Sequence, residues 1–297
     1  MNFVKTHNLV CPIDGKKLDR QQQQYICESG HTFDIARQGY VNLLPVQHKR
    51  SKNPGDSKAM VVARKQFLDT AIYQPIAAKL TELVLAQLDE HEDCCLLDAG
   101  CGEAYYTNAV YTALCENDDS AEFSLIGLDI SKDAIIQSTK RNKQIDWIVG
   151  TNRKLPVKDE SVDIILCLFG FLSVEGFAKA LKPGGKIIFV DPGMNHLKEL
   201  REVIYPSLKK AEPSTLQNME ISGFSLKSSD SLTFKERLSD VEQIKNLLLM
   251  TPHFYRASKE GREAAAKLTE LDLTVDVVFR VFEKNEKIAV KVSAVES

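Results

Sequence analysis

The sequence predicts an α/β fold, a doubly wound and largely parallel sheet preceded by a small ligand-bearing module. Three observations carry this. Strand-length apolar runs alternate with helix-length segments from Cys94 to Val190. The first of these runs breaks at a glycine-rich turn, Gly100-Cys101-Gly102. Ahead of them, Cys11-Pro12-Ile13-Asp14 and Cys27-Glu28-Ser29-Gly30-His31 have nearly the spacing of paired zinc-ligand turns.

The elements follow in order. Residues 1–36 are polar and turn-rich and form the small module. Residues 37–92 comprise a basic linker and an amphipathic helix; apolar residues recur at helical spacing from Phe67 to about Leu88 (Leu68, Ile72, Ile76, Leu80, Leu83, Val84). Residues 93–297 form the main domain. Its first strand is Cys94–Ala99, a helix starts near Tyr105, and a second strand, Phe123–Asp129, leads to Ser131, a natural N-cap. Strands at Asp146–Val149, Val162–Leu168 and Lys186–Val190 complete the alternation, with Lys182-Pro183-Gly184-Gly185 ending a helix before the last of them. A helix from His196 to Lys210 and strands near Ser222–Ser228 and Leu273–Phe282 are expected beyond it.

Composition bounds the function. Of 297 residues, 43% are hydrophobic and 27% charged, with a formal charge of −3, so the chain as a whole exerts no pull on nucleic acid or anionic membrane. No apolar run approaches the roughly 18 residues of a membrane span, and the first residues lack a signal-peptide core. The seven cysteines are odd in number and scattered through apparent strands, unlike a secreted disulfide framework. A cytoplasmic protein without membrane partners is expected.

The turn Leu97-Asp98-Ala99-Gly100-Cys101-Gly102-Glu103 departs from a dinucleotide fingerprint, since the third glycine is absent and Asp98 precedes the first. Asp98-x-Gly100-x-Gly102 resembles the first motif of class I S-adenosylmethionine-dependent methyltransferases, which have a Rossmann-like domain. A carboxylate there offsets a cationic sulfonium and ammonium instead of cradling phosphate. Asp129, ending the second strand, is placed to accept ribose hydroxyls, and Gly150-Thr151-Asn152 lies where such enzymes contact adenine. The alternative is a tight turn at Gly100 and Gly102, with Asp129 as a helix cap.

Cys11, Asp14, Cys27 and His31 are candidate ligands of a structural zinc, with Asp14 standing where a cysteine is expected. The alternative is a metal-free hairpin with two thiols. The basic stretch Tyr40–Lys52 suits phosphate contacts or a solvated linker.

The whole pattern resembles the bacterial 23S ribosomal RNA guanine-N1 methyltransferase family. The likeness spans Tyr25-Ile26-Cys27, His31, the block Gly39–Ser51, Pro54–Ser57, Tyr73-Gln74-Pro75, Leu97–Glu103 and Pro192-Gly193-x-x-His196-Leu197-x-Glu199-Leu200. It implies cofactor contacts from Tyr73, Gly102, Glu103 and His196, and zinc on Cys11, Cys27, His31 and position 14. It also implies a homodimer gripping a 23S ribosomal RNA hairpin. Ala104 stands where a glycine is expected, and Leu168-Phe169-Gly170-Phe171-Leu172 departs from the family in the acceptor region. Phe169 and Phe171 either stack on a flipped purine or pack in the core. No Asn/Asp-Pro-Pro-aromatic segment follows the fourth strand, which disfavours amino-group methylation. Cys167 lacks a Pro-Cys context, which disfavours covalent attack on a pyrimidine. His196 reads as a cofactor contact or local hydrogen-bonder, and no residue is assigned as proton acceptor. A small-molecule methyltransferase and a non-catalytic RNA-binding relative are the competing expectations.

Overall fold

The computed structural model describes residues 1–45, 54–89, 92–117, 120–205, 219–220 and 222–285. The basic residues Lys49, Arg50 and Lys52 and the expected helix end at Lys210 lie outside them.

In chain order the elements are β1 (Asn2–Phe3), β2 (Leu18–Gln21), β3 (Gln24–Cys27), β4 (Thr32–Asp34), β5 (Tyr40–Asn42), α1 (Lys58–Leu68), α2 (Gln74–Leu85), β6 (Cys94–Ala99), α3 (Tyr105–Glu116), β7 (Glu122–Asp129) and α4 (Lys132–Arg141). There follow β8 (Asp146–Val149), β9 (Val162–Leu168), α5 (Val174–Ala180), β10 (Leu181–Pro192), α6 (Lys198–Ile204), β11 (Phe224–Leu238), α7 (Val241–Met250), α8 (Pro252–Arg256), α9 (Lys259–Ala265) and β12 (Leu271–Lys284).

One mixed sheet runs in the order β11-β12-β10-β9-β6-β7-β8-β5, with β1 beside β7. Strands β5 to β10 of this sheet pair in parallel, whereas β12 is antiparallel to both β10 and β11. The strand order reverses at β6, between β7 and β9. A crevice therefore opens at their carboxyl ends, where ligands bind in such sheets.

Alternation along each strand divides the core in two. Leu96, Phe123, Leu125, Trp147, Ile164, Leu166 and Ile188 face one side, under α2, α3, α6 and α7. Leu97, Ile126, Ile148, Ile165 and Ile187 face the other, where Phe177 of α5 meets Leu9, Cys11, Leu18 and Tyr25. The N-terminal module thus covers the sheet face that a further helix covers in a fully doubly wound domain. It is tied there by the Leu9–Val157 bridge, by Val10 N–H to Pro156 O (3.0 Å) and by Lys158 N–H to Asn8 O (2.7 Å).

Three expectations change. The helix expected from Phe67 to Leu88 is two helices, because Ala71 takes a left-handed conformation (φ 63°) and Pro75 starts a new helix. The helix expected from His196 begins at Lys198, after Leu197 in a left-handed conformation (φ 54°). Helix α5 stops at Ala180, before Lys182-Pro183-Gly184-Gly185, which instead forms an irregularity within β10 between Leu181 and Lys186. Residues 37–92 also contribute β5, which pairs with β8 at the sheet edge.

Candidate cofactor cleft and metal site

A cleft of about 540 Å³ opens at the carboxyl ends of β6, β7 and β9. Asp98, Gly100, Gly102, Glu103, Asp129, Thr151 and Asn152 all line it. The glycine turn makes it accessible: Gly100 (φ +101°) and Gly102 (φ +57°) adopt backbone that side chains rarely take. Gly100 and Cys101 N–H both donate to Leu128 O (2.8 and 3.0 Å), fixing the turn on the neighbouring strand.

Asp98 is buried and accepts from Thr107 Oγ1 at 2.6 Å. Burial, with Asp129 nearby, raises its carboxyl to about 7 against the opposing Thr107 hydrogen bond. Asp129 accepts Gly102 N–H (3.0 Å) on one oxygen and Ser131 N–H (2.7 Å) on the other. Burial pushes its carboxyl up, and those two N–H groups pull it back. Each oxygen keeps a lone pair for a ligand hydroxyl. Ser131 also caps α4, its hydroxyl accepting from Ala134 N–H. Asn152 Nδ2 donates to Ala99 O (3.1 Å) and Phe171 O (3.0 Å), joining the β8 loop to the β6 and β9 ends.

The charges in this cleft are unequal in availability. Glu103 is paired with Arg141 (2.6 Å), which also reaches Asp69 (2.8 Å). Asp56 is paired with Arg64. Among the described residues, that leaves Asp98 and Asp129 as the cleft carboxylates outside any ion pair, which suits a ligand carrying positive charge.

Tyr73 and His196 stand one layer back and do not line the cleft. Phe169 stacks on His196 (6.0 Å between centroids, 26°), and Tyr73 lies 6.2 Å from the same imidazole. His196 Nδ1 accepts Asp276 N–H (3.3 Å), and burial lowers the imidazole to about 4, so the ring is neutral. Phe169 and Phe171 are 39% and 57% exposed, so the core-packing reading fails for both. Arg153 lies over the Phe171 ring, 5.0 Å from its centroid.

Sequence reasoning missed Met60, Arg64, Tyr106, Arg153, Met250 and Pro252, which also line the cleft. Arg64 gave only the signal of one more cation in a basic stretch. Its role follows from packing of α1 on α7, where its guanidinium donates to Met250 O (3.2 Å).

On the opposite sheet face, Cys11, Asp14, Cys27 and His31 gather with their ligand atoms all within 4.8 Å. His31 Nδ1 lies 3.5 Å from Cys11 Sγ, 3.4 Å from Cys27 Sγ and 3.3 Å from Asp14 Oδ2, and Cys27 Sγ is 3.7 Å from Asp14. Zinc bonds of about 2.0–2.3 Å in a tetrahedron make ligand–ligand edges of roughly 3.3–3.8 Å. The four residues fit the ion. The Lys16 backbone N–H (3.1 Å) holds the Asp14 carboxyl well below the usual range, so it stays an anionic ligand.

The sheet order, the crevice at β6 and the carboxylate-bearing glycine turn define a class I S-adenosylmethionine-dependent methyltransferase. Comparison agrees: residues 97–189 match a methyltransferase-domain model, and residues 9–52 match the zinc ribbon model described as RlmA, N-terminal. The chain is 30% identical over 275 residues to YxjB of Bacillus subtilis (strain 168), provisionally named a 23S rRNA (guanine-N(1)-)-methyltransferase; this covers 90% of the chain and 94% of YxjB. It is 31% identical over 197 residues to the 23S rRNA (guanine(748)-N(1))-methyltransferase of Streptomyces fradiae, covering 66% and 67%. The chain belongs to the 23S ribosomal RNA guanine-N1 methyltransferase family.

Proposed function

We propose that the protein transfers a methyl group from S-adenosylmethionine to N1 of a guanine in 23S ribosomal RNA. What supports this reading most is that one continuous likeness to guanine-N1 relatives runs through both the ribbon and the cleft. The cofactor supplies an electrophilic methyl group on a sulfonium. Asp98 and Asp129, which line the cleft, would offset its charge and accept its ribose hydroxyls, Gly100 and Gly102 would let it approach the backbone, and Thr151 and Asn152 would meet the adenine. Glu103 lines the cleft while held by Arg141, and Tyr73 and His196 act from behind the wall, by fixing its shape.

N1 lies on the Watson–Crick edge, so the target must be unpaired or flipped before reaction. Arg153 lines the cleft and also the groove beneath the ribbon, together with Lys154, Lys158 and Lys179. These cations suit the phosphates flanking the target. Zinc on Cys11, Asp14, Cys27 and His31 would hold the ribbon turns that wall this groove, as a structural ion. A cytoplasmic location, a hairpin substrate and a homodimer belong to the same reading; among the described residues no helix is long and apolar enough to cross a membrane.

The test is incubation with labelled S-adenosylmethionine and unmodified 23S ribosomal RNA, followed by nucleoside mass spectrometry. The reading expects 1-methylguanosine as the labelled product. Label in no nucleoside, with the cofactor bound, would favour a small-molecule enzyme or a non-catalytic relative.

A further inference from the structure

Two exposed aromatic residues flank one glycine at the mouth of the cleft. The chain leaves β9 at Leu168, and Phe169 and Phe171 both line the cleft while staying open to solvent. Phe169 is stacked on His196, which leaves Phe171 as the more available ring. A lone exposed apolar side chain is ordinary on a protein surface. Phe171 is not lone, because Arg153 lies over it with its guanidinium carbon 5.0 Å from the ring centroid. Among the described residues Arg153 has no ion-pair partner, so its guanidinium rests on the ring and stays open to a ligand.

The fold holds this pair in place from three sides. Asn152 Nδ2 donates to Phe171 O (3.0 Å) and to Ala99 O (3.1 Å), so the residue before Arg153 fixes the Phe171 backbone to the end of β6. Helix α5 backs the same loop closely, since a Cβ at Gly176 would fall 2.5 Å from Asn152 O. Beyond Arg153, Lys154 Nζ donates to Pro12 O (2.9 Å) and ties the loop to the ribbon. Arg153 lines both the cofactor cleft and the groove beneath the ribbon, a space of about 690 Å³ that Lys158 and Lys179 also line. The ring and the guanidinium therefore mark the place where one opening passes into the other.

We propose that Phe171 and Arg153 form a stacking ledge for the base next to the target guanine in the RNA strand. This rests on the guanine-N1 reading above. The target has to enter the cleft to meet the methyl group, which breaks its stacking on its neighbours. A neighbour left without a partner recovers the lost contact on an aromatic ring or a guanidinium plane, the surfaces on which unpaired bases of RNA are held. The ledge offers both where the strand passes from the cleft to the groove, whose lysines suit its phosphates. A phosphate contact alone would need the cation of Arg153 but not the ring beneath it. Stacking of this kind accepts any base, since each has a flat face. The ledge thus sets the position of the strand, and the cleft sets which base reacts.

The experiment is a thermodynamic cycle on the full chain. Hairpin transcripts of 23S ribosomal RNA that the wild type methylates are made with an intact or an abasic residue on either side of the modified nucleotide. Their Kd is measured with S-adenosylhomocysteine present, for the wild type, Phe171→Ala, Phe171→Leu, Phe171→Trp and Arg153→Lys. The Kd for S-adenosylmethionine and Tm are measured on the same proteins. Phe171→Ala and Phe171→Leu are expected to weaken RNA binding about 5–100-fold and Phe171→Trp to keep it. Arg153→Lys should lose several-fold although its charge remains. Removing one neighbouring base should cost the wild type the same factor and cost Phe171→Ala nothing further, while exchanging that base for another leaves binding in place. Cofactor Kd and Tm should hold, because the ring is exposed at the mouth. Equal losses on base removal in the wild type and Phe171→Ala overturn the ledge, as does full affinity in Phe171→Leu. A weakened cofactor Kd in Phe171→Ala makes the ring a cofactor contact and overturns it too. Full affinity in Arg153→Lys removes Arg153 from the ledge. Methylation at an atom other than N1, with the cycle intact, overturns the guanine-N1 reading and keeps the ledge; a wild type that methylates no 23S ribosomal RNA overturns both.

Discussion

The two ends of the cleft differ in how completely their groups are satisfied. At the cofactor end, Asp129 accepts two backbone N–H groups, Asp98 accepts a threonine hydroxyl, and Glu103 is locked to Arg141. At the other end, Phe169 holds a left-handed conformation (φ +51°), and among the described residues the Tyr73 and Tyr106 hydroxyls are buried and unpaired. The first end is preorganised for a ligand that always has the same shape. The second is held in a costlier arrangement. Preorganisation and stored strain thus lie at different places around the cleft.

The largest expected effect breaks the satisfied end. Replacing Arg141 with Met strands the buried Glu103 carboxylate, and the loss should be about 3–5 kcal/mol of unfolding free energy in urea titrations. A loss below about 1 kcal/mol would mean that Glu103 is readily neutralised and the network contributes little.

His196 sharpens the contrast from the other end. Its imidazole sits at about 4 in the fold against 6.5 ordinarily. Between those values the unfolded chain binds a proton that the folded chain refuses. Stability is therefore greatest above about 6.5 and falls as the pH drops toward 4, by on the order of 3 kcal/mol. His196→Gln should flatten that limb in denaturation measured from pH 7 to 4; an unaltered slope would put the proton elsewhere.

Asp98 moves in the opposite sense. Its carboxyl is raised to about 7, so the fold prefers it protonated, while a cationic cofactor needs it ionised. Cofactor affinity should therefore rise with pH through about 7. Asp98→Asn should weaken binding roughly 10–100-fold at pH 8 and much less at pH 6. Equal losses at both would remove the charge from the explanation.

The smallest effect concerns Ala104, which holds a left-handed conformation (φ 71°) where the family resemblance led us to expect glycine. Ala104→Gly should raise stability by about 1 kcal/mol. No rise in Tm would mean that the local backbone does not relax.

The cofactor end was legible because its chemistry is local. Asp98, Gly100 and Gly102 lie within one turn, and Asp129 ends the next strand of an alternating pattern that announces itself. The Cys11 and Cys27 turns are legible for the same reason, short spacing around ligand atoms. The region around Phe169 was legible only in part: Phe169, Tyr73 and His196 were singled out, but their meeting and the presence of Tyr106 were not. Tyr73, Tyr106, Phe169 and His196 come from four separated stretches, and what joins them is packing across the sheet's carboxyl edge. Arg64 likewise reaches the cleft only because α1 packs on α7. The break after Leu68 escaped the helical periodicity because Leu68, Ile72 and Ile76 keep their spacing across it, while only Ala71 reverses its backbone.

The central claim is methylation of guanine N1, and reverse transcription across treated 23S ribosomal RNA tests it most directly. A methyl on N1 blocks Watson–Crick pairing, so the account predicts a stop one nucleotide before a hairpin-loop guanine. That stop should require S-adenosylmethionine and weaken with Asp98→Asn at limiting cofactor and pH 8. Cofactor binding with no such stop would contradict the account.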